Sequence, residues 1–234
     1  MSNRLLKAGL VFSTLVPTFL AAGVAKAAES ATVFWVDHDI LTWSQTKSKP
    51  DTGSSSKSSN LVTTPNNATI GIFWSDYGVY VTPGVAGGTV GLSYYPQKDL
   101  EVGVLLGTAN SKNENLAAGT QTVDSKRNSY GLFGTYYLPV HATGTLEFSL
   151  SYLHSDGKDT TETTTGATTT TVTTLDSKTN GFTILAQYAL QIAPHFNYVP
   201  GIAIASNTTK DSTTDNKNKS NGLTLNIVHF RYVF

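Results

Sequence analysis

From residue 89 onward, apolar and polar positions alternate with a period of two, segment after segment. Val90, Leu92 and Tyr94 share one face and Thr89, Gly91 and Ser93 the other; Leu100, Val102, Val104 and Leu106 oppose Glu101, Gly103, Leu105 and Gly107. Tyr130, Leu132, Tyr136 and Leu138 oppose Gly131, Phe133 and Thr135, and Leu146, Phe148, Leu150 and Tyr152 oppose Glu147, Ser149 and Ser151. The same beat runs through Phe182, Ile184, Ala186, Tyr188 and Leu190, and through Phe196, Tyr198, Ile202 and Ile204. Side chains of a strand point alternately to its two faces, so each segment predicts an amphipathic β-strand and the chain is all-β.

The connections alternate between short and long. Turns at 96–99, 139–143 and 191–195 each carry a proline, whereas 111–128, 155–178 and 207–220 read as long polar loops. The middle loop is nearly all threonine over 160–165 and 168–174, which predicts a solvated low-complexity hairpin. Strands of about ten residues with short turns on one side and long loops on the other predict a transmembrane up-and-down antiparallel β-barrel. Closure satisfies every backbone N–H and C=O in lipid. The apolar stripe then faces outward, the reverse of a soluble lipocalin-like barrel.

Residues 31–83 parse less cleanly. Phe34, Val36 and Ile40 indicate one face of a first strand, Leu41 and Trp43 the other. After a Ser/Lys/Asn-rich stretch at 47–67, Thr69–Trp74 and Val79–Val81 form a short hairpin around 75–78. Its arms are shorter than the ~9–11 residues that span a membrane. The expectation is therefore eight strands with that hairpin inside the first long loop, and ten strands is the alternative.

Arg4 and Lys7, an apolar stretch from Leu10 to Val24 and the Ala25-Lys26-Ala27 pattern predict a signal peptide over 1–27, followed by a barrel domain over 28–234. Cleavage after Ala27 leaves 207 residues with three more acids than bases. Charged residues are only 14% of the chain and the basic ones are scattered, which argues against nucleic-acid binding. The absence of cysteine excludes disulfides, thiolate metal sites, a cysteine nucleophile and an N-terminal lipidated cysteine.

The last strand, with Val228, Phe230, Tyr232 and terminal Phe234 on one face, resembles the C-terminal signature of bacterial outer-membrane β-barrels. In size the chain resembles the eight-stranded OmpA-barrel and OmpX type. The resemblance implies a Gram-negative outer membrane, recognition of the final strand by the barrel-assembly machinery, and contact with outer-membrane lipid and lipopolysaccharide, as a monomer without a cofactor. Leu223, Leu225 and Ile227 fall on the opposite face from Phe230, so the strand either carries a bulge near Ile227 or turns these residues inward.

Tyr94, Tyr136, Tyr188, Phe196, Tyr198, Tyr232 and Phe234 sit toward the short-turn side, and Tyr130, Tyr152 and Phe182 near the long loops; together they predict two interfacial girdles. On the inward face, Glu101, Glu147 and Arg231 fall at a similar depth near the periplasmic mouth, predicting a polar network that plugs the lumen. No catalytic or metal site is expected: His154 and Ser155 lie on opposite faces, His38 sits between diverging Asp37 and Asp39, and no carboxylate is placed to orient inward His229. The expected function is a non-enzymatic surface barrel with Thr/Ser/Asn-rich loops for contact or shielding. A narrow porin-like channel past the inward glycines is the alternative, and a lipid-modifying enzyme a third.

Overall fold

The alternating segments close into a single antiparallel barrel in the computed structural model, which describes residues 32–51, 53–63, 68–84, 86–115, 120–165, 168–212 and 215–234. The expected signal peptide lies outside the described residues. In chain order the segments are β1 (Val33–Pro50), β2 (Ser56–Val62), β3 (Ala68–Trp74), β4 (Tyr77–Gly84), β5 (Gly87–Gln97), β6 (Leu100–Asn115), β7 (Thr120–His141), β8 (Gly144–Thr165), β9 (Thr168–Ala193), β10 (Phe196–Tyr198), β11 (Gly201–Asp211) and β12 (Lys217–Val233). The wall runs β1, β3, β4, β5, β6, β7, β8, β9, β11, β12, and β12 returns to β1. Short β10 lies in line with β11, between β9 and β12, and β2 flanks the upper part of β1.

Ten strands therefore form the barrel, not eight. The hairpin placed by sequence inside the first loop is part of the wall: β3 pairs with β1 from Val33↔Phe73 to His38↔Ala68, and β4 pairs with β5 from Tyr77↔Tyr94 to Gly84↔Gly87. Two things disguise it. The neighbour of β1 is split into β3 below and β2 above, and β4 continues past its apolar run through Thr82, Pro83 and Gly84.

The register fixes the barrel's dimensions. Along hydrogen-bonded partners, Tyr232 leads through Val36, Ile70, Val81, Val90, Leu106, Tyr130, His154, Asn180 and Thr208 back to β12 at Lys219. That is thirteen residues along β12, or a shear of twelve once bulged Ile227 is set aside. Ten strands with this shear tilt by about 42° and leave a backbone radius of about 10 Å, wider than eight strands give.

Both sequence irregularities at the chain ends have one cause. On β1 the ladder steps from Asp39↔His229 to Leu41↔Val228, so Ile40 is an extra residue; it then steps to Thr42↔Asn226, so Ile227 is an extra residue on β12. The two bulges face each other and cancel. Paired residues share a face, so Leu41 and Trp43 rejoin the outer face above the bulge, opposite Val228 and Leu225. The bulge expected near Ile227 is present, and the greasy residues above it stay outside.

The outer face is apolar along the lower wall: Leu132, Leu150 and Ile184 are about 60% exposed, while their chain neighbours Phe133, Ser149 and Leu185 are buried. The segments read as long loops are mostly strand. β7 pairs with β8 as far as Thr120↔Thr164, and β8 with β9 as far as Thr165↔Thr168. The threonine tract is thus the hydrogen-bonded upper part of a hairpin, as β-branched side chains favour. β7, β8 and β9 have 22, 22 and 26 residues, against 7, 8 and 11 in β3, β4 and β5. At 3.3 Å per residue and this tilt, β7 rises roughly 50 Å, about twice the ~25 Å apolar band of such barrels. The rim is tall on one side and low on the other.

Candidate functional site

The lower lumen is filled by two groups of side chains. The first is ionic and is built across the seam. Arg231 on β12 donates from Nη1 to Glu147 Oε1 at 2.7 Å and from Nη2 to Glu147 Oε2 at 3.1 Å, while its Nε donates to Asp37 Oδ2 at 3.3 Å. His229, two residues away on the same face, meets Asp37 Oδ1 through Nε2, and its Nδ1 lies 2.7 Å from Asp39 Oδ1. Gln187 Nε2 donates to Glu147 Oε2 at 2.6 Å. All six side chains belong to buried residues. A bidentate guanidinium–carboxylate fork of this kind is a strong, directional contact, and it ties β12 to β8 across the lumen.

The second group is aromatic. Ring contacts at 5.7–6.4 Å link Phe133, Tyr80, Trp35, Phe73, Tyr95 and Tyr137 in succession. The last ring returns to the polar group, because Tyr137 Oη donates to Glu101 Oε2 at 2.6 Å. The inward glycines make room for these rings. A Cβ on Gly71 would fall within the Trp35 indole, one on Gly91 within the Tyr80 ring, and one on Gly103 against Phe133. Glycine here provides close approach of a neighbouring ring to the backbone, so the thin aqueous path past Gly91 and Gly103 is occupied. Leu105, Phe133 and Leu185 stack above the ionic group as buried inward residues.

Of the three charged residues singled out by sequence, Arg231 and Glu147 meet directly, whereas Glu101 bonds to Tyr137. Sequence reasoning missed Asp37 and Asp39. It placed no carboxylate near His229, yet both aspartates face it, because β1 and β12 are neighbours only once the barrel closes. His154 also has a carboxylate nearby, with Nε2 at 3.4 Å from Asp156 and Nδ1 at 2.7 Å from Asn180 Oδ1. The alternating period did carry one usable signal for the inner rings. In the doublets Tyr94-Tyr95 and Tyr136-Tyr137 only one ring of each pair can face lipid.

The aromatics assigned to the girdles lie on the outer face. Tyr94, Tyr130, Tyr136 and Phe182 are exposed, and Tyr152, Tyr188 and Tyr198 are half-buried. Tyr152 Oη donates to Asn180 Oδ1 at 2.7 Å, Tyr198 Oη donates to the Ile227 carbonyl at 2.7 Å, and Tyr188 Oη meets His141 Nε2. The Tyr198 contact satisfies the bulged Ile227 carbonyl. On the final strand Phe230 stacks on Phe196 at 5.0 Å, Tyr232 packs edge-on to Phe234 at 4.6 Å, and Phe234 N donates to Phe34 O at 2.7 Å. Val228 faces outward beside Leu41 at the bulge.

Above the leucine layer the lumen is polar. Arg127 donates from Nη2 to both Asp159 oxygens at 3.2 Å and from Nη1 to Ser177 Oγ at 3.2 Å, bracing the tall wall from inside. Among the described residues no group of three or more carboxylates and imidazoles is arranged to hold a metal ion.

No family model matches the chain, and no curated protein does. Among solved structures it is similar to Ail, the attachment invasion locus protein of Yersinia pestis, at 13% identity over 88% of this chain and all of that one, with a TM-score of 0.33. Neisserial surface protein A shares 14% identity over 85% of this chain and 96% of its own, with a TM-score of 0.37. The outer membrane protease OmpT of Escherichia coli shares 11% over 87% and 96%, with a TM-score of 0.39. These values are too low to carry an assignment, which rests on the closed ladder and the outward apolar stripe. On those grounds the chain is a closed antiparallel β-barrel with its apolar face outward, the arrangement of a membrane-spanning barrel.

Proposed function

We propose that this protein is a non-enzymatic outer-membrane barrel that holds a polar β-wall above the membrane for contact or shielding. The observation that carries this reading is the disparity of the wall: β7–β9 continue far beyond the apolar band, with Ser, Thr, Asp and Lys on their projecting parts. The lumen below contributes anchorage and closure. Each ring nitrogen of His229 faces an aspartate, which leaves neither to take a proton from a hydroxyl, so the buried histidine supports registry over general-base chemistry.

A narrow channel is the second reading, favoured by ten strands where eight were expected. The rings over Gly91 and Gly103 and the Arg231–Glu147 fork oppose it. One preparation tests both. The hairpin is shortened by removing residues 161–173 and joining the paired Thr160 and Thr174 through an Asn-Gly turn. The shortened barrel is expected to fold and shift on gels as the full chain does, and to lose surface contact or shielding in whole cells. Both proteins are expected to be silent in planar bilayers. Unchanged surface behaviour of cells carrying the short form contradicts the first reading, and defined unitary conductance steps favour the channel.

A further inference from the structure

The extracellular ends of β11, β12, β1 and β2 carry an uncommon arrangement of charge. Lys49 lies directly opposite Lys219, Lys47 opposite Lys57, and Lys210 opposite Lys217. The register places all six on the outer face, and all six are exposed. Like charges directly opposite on neighbouring strands are destabilising in water, so three such pairs side by side call for an outside source of negative charge. The other side of the barrel is arranged differently. There each lysine has an acid at hand: Lys112 faces Asp124, Lys178 faces Asp156 as well as Lys210, and Lys158 faces Asp176 as well as Lys126, whose Nζ lies 3.6 Å from Asp124. On the lysine side the described outward acids are Asp51 and Asp215 at the loop ends; Asp51 accepts from the Lys217 amide at 3.3 Å, and Lys210 binds Asp215 at 2.7 Å.

Position identifies the missing partner. Reading up the outer face, the paired row Trp43, Leu225 and Leu61 is followed by Gln45, Leu223 and Ser59, then by Lys47, Asn221 and Lys57, then by Lys49 and Lys219. The lysines start two rows above an indole and point sideways, away from the barrel axis. An indole prefers the boundary of the hydrocarbon layer, so the next rows lie among headgroups. Lysine stems lie along apolar surface while the ammonium groups reach a polar layer. We propose that this face is a binding site for the phosphate groups of an anionic glycolipid in the outer leaflet, with the lysine pairs taking phosphates between them. The site rests on the outer-membrane placement of the barrel but not on the role of the β7–β9 hairpins.

The full chain and a K47Q/K49Q/K57Q/K217Q/K219Q variant are folded into phosphatidylcholine nanodiscs, with and without ten mole per cent of a bisphosphorylated lipid A. Retention of the lipid A after washing and the temperature of gel-mobility loss are recorded. A K126Q/K158Q variant, altered on the acid-balanced side, is the control. The unaltered chain and the control are expected to retain lipid A and to gain thermal resistance from it. The five-lysine variant should retain at least about fivefold less, and raised salt should reduce the difference. Equal retention by all three proteins, or equal effects of phosphorylated and dephosphorylated lipid, overturns the proposal. Because the variant is first compared in lipid A-free discs, failure to form a barrel is recorded separately from loss of the site.

Discussion

Replacing Arg231 by alanine is expected to destabilise the folded barrel by about 3–5 kcal/mol, among the largest effects of any single substitution in the lumen. The guanidinium serves two buried carboxylates at once, Glu147 through both terminal nitrogens and Asp37 through Nε. Removing it leaves both acids with the desolvation cost of their burial and without their partner. Gln187 still donates to Glu147, and His229 still meets Asp37, so neither acid is left bare. The E147Q variant is expected to cost less, because it removes a charge instead of isolating one. In the E147Q/R231A pair the losses should fall short of additivity by about 1–3 kcal/mol, as expected of groups in direct contact. Urea unfolding in detergent, followed by gel mobility, supplies the four numbers of the cycle. Additive losses would show that the fork seen here contributes no coupling.

The second large effect is expected at the seam. Deleting Ile40 and Leu41 together removes the extra residue of β1 and one paired residue with it. The upper half of β1 then falls one position out of step. A one-residue slip exchanges faces, so Trp43 would turn into the lumen and Thr42 and Ser44 into lipid. The closing ladder is lost over about half its length, and the double deletion should prevent formation of a heat-modifiable barrel. Deleting Ile40 alone removes only the unpaired residue: Asp39 stays inward, Leu41 follows it outward in ordinary alternation, and Ile227 remains as a lone bulge on β12. That barrel should fold. Folding of the double deletion at the normal yield, or failure of the single deletion to fold, would show that Ile40 is not the extra residue of the ladder.

These two cases also mark what was legible in the chain. Period-two alternation gave the strands of the wall from residue 89 onward, because each strand has one wet and one greasy face and the pattern is local. It gave the face of Glu101, Glu147 and Arg231 for the same reason. The strand count was not legible, since the second barrel strand is broken between β3 and β2, so neither piece alone reaches a spanning length. Asp37 and Asp39 were visible as acids but not as partners of His229, because nearly two hundred residues separate them and only closure brings them together. The filled lumen was hidden by the same kind of distance. Gly71 and Gly91 look like empty space along their own strands, and the rings of Trp35 and Tyr80 that cover them come from neighbouring strands. The bulge was half legible: the wrong-face residues at Leu41 and at Ile227 each signalled an irregularity, but their pairing required the ladder.

The central claim is that the apolar stripe of this barrel faces lipid and the polar stripe faces the lumen. The chain has no cysteine, so single cysteines can report each position without background. Spin labels at Leu132, Leu150 and Ile184, and at Thr135, Ser149 and Thr183, in the refolded protein in lipid vesicles would be compared for collisions with oxygen, which concentrates in lipid, and with a water-soluble nickel chelate. The first set is expected to collide mainly with oxygen and the second to be protected from it. The reverse order, or a protein that stays dispersed without lipid or detergent and shields the first set from both reagents, would contradict the account.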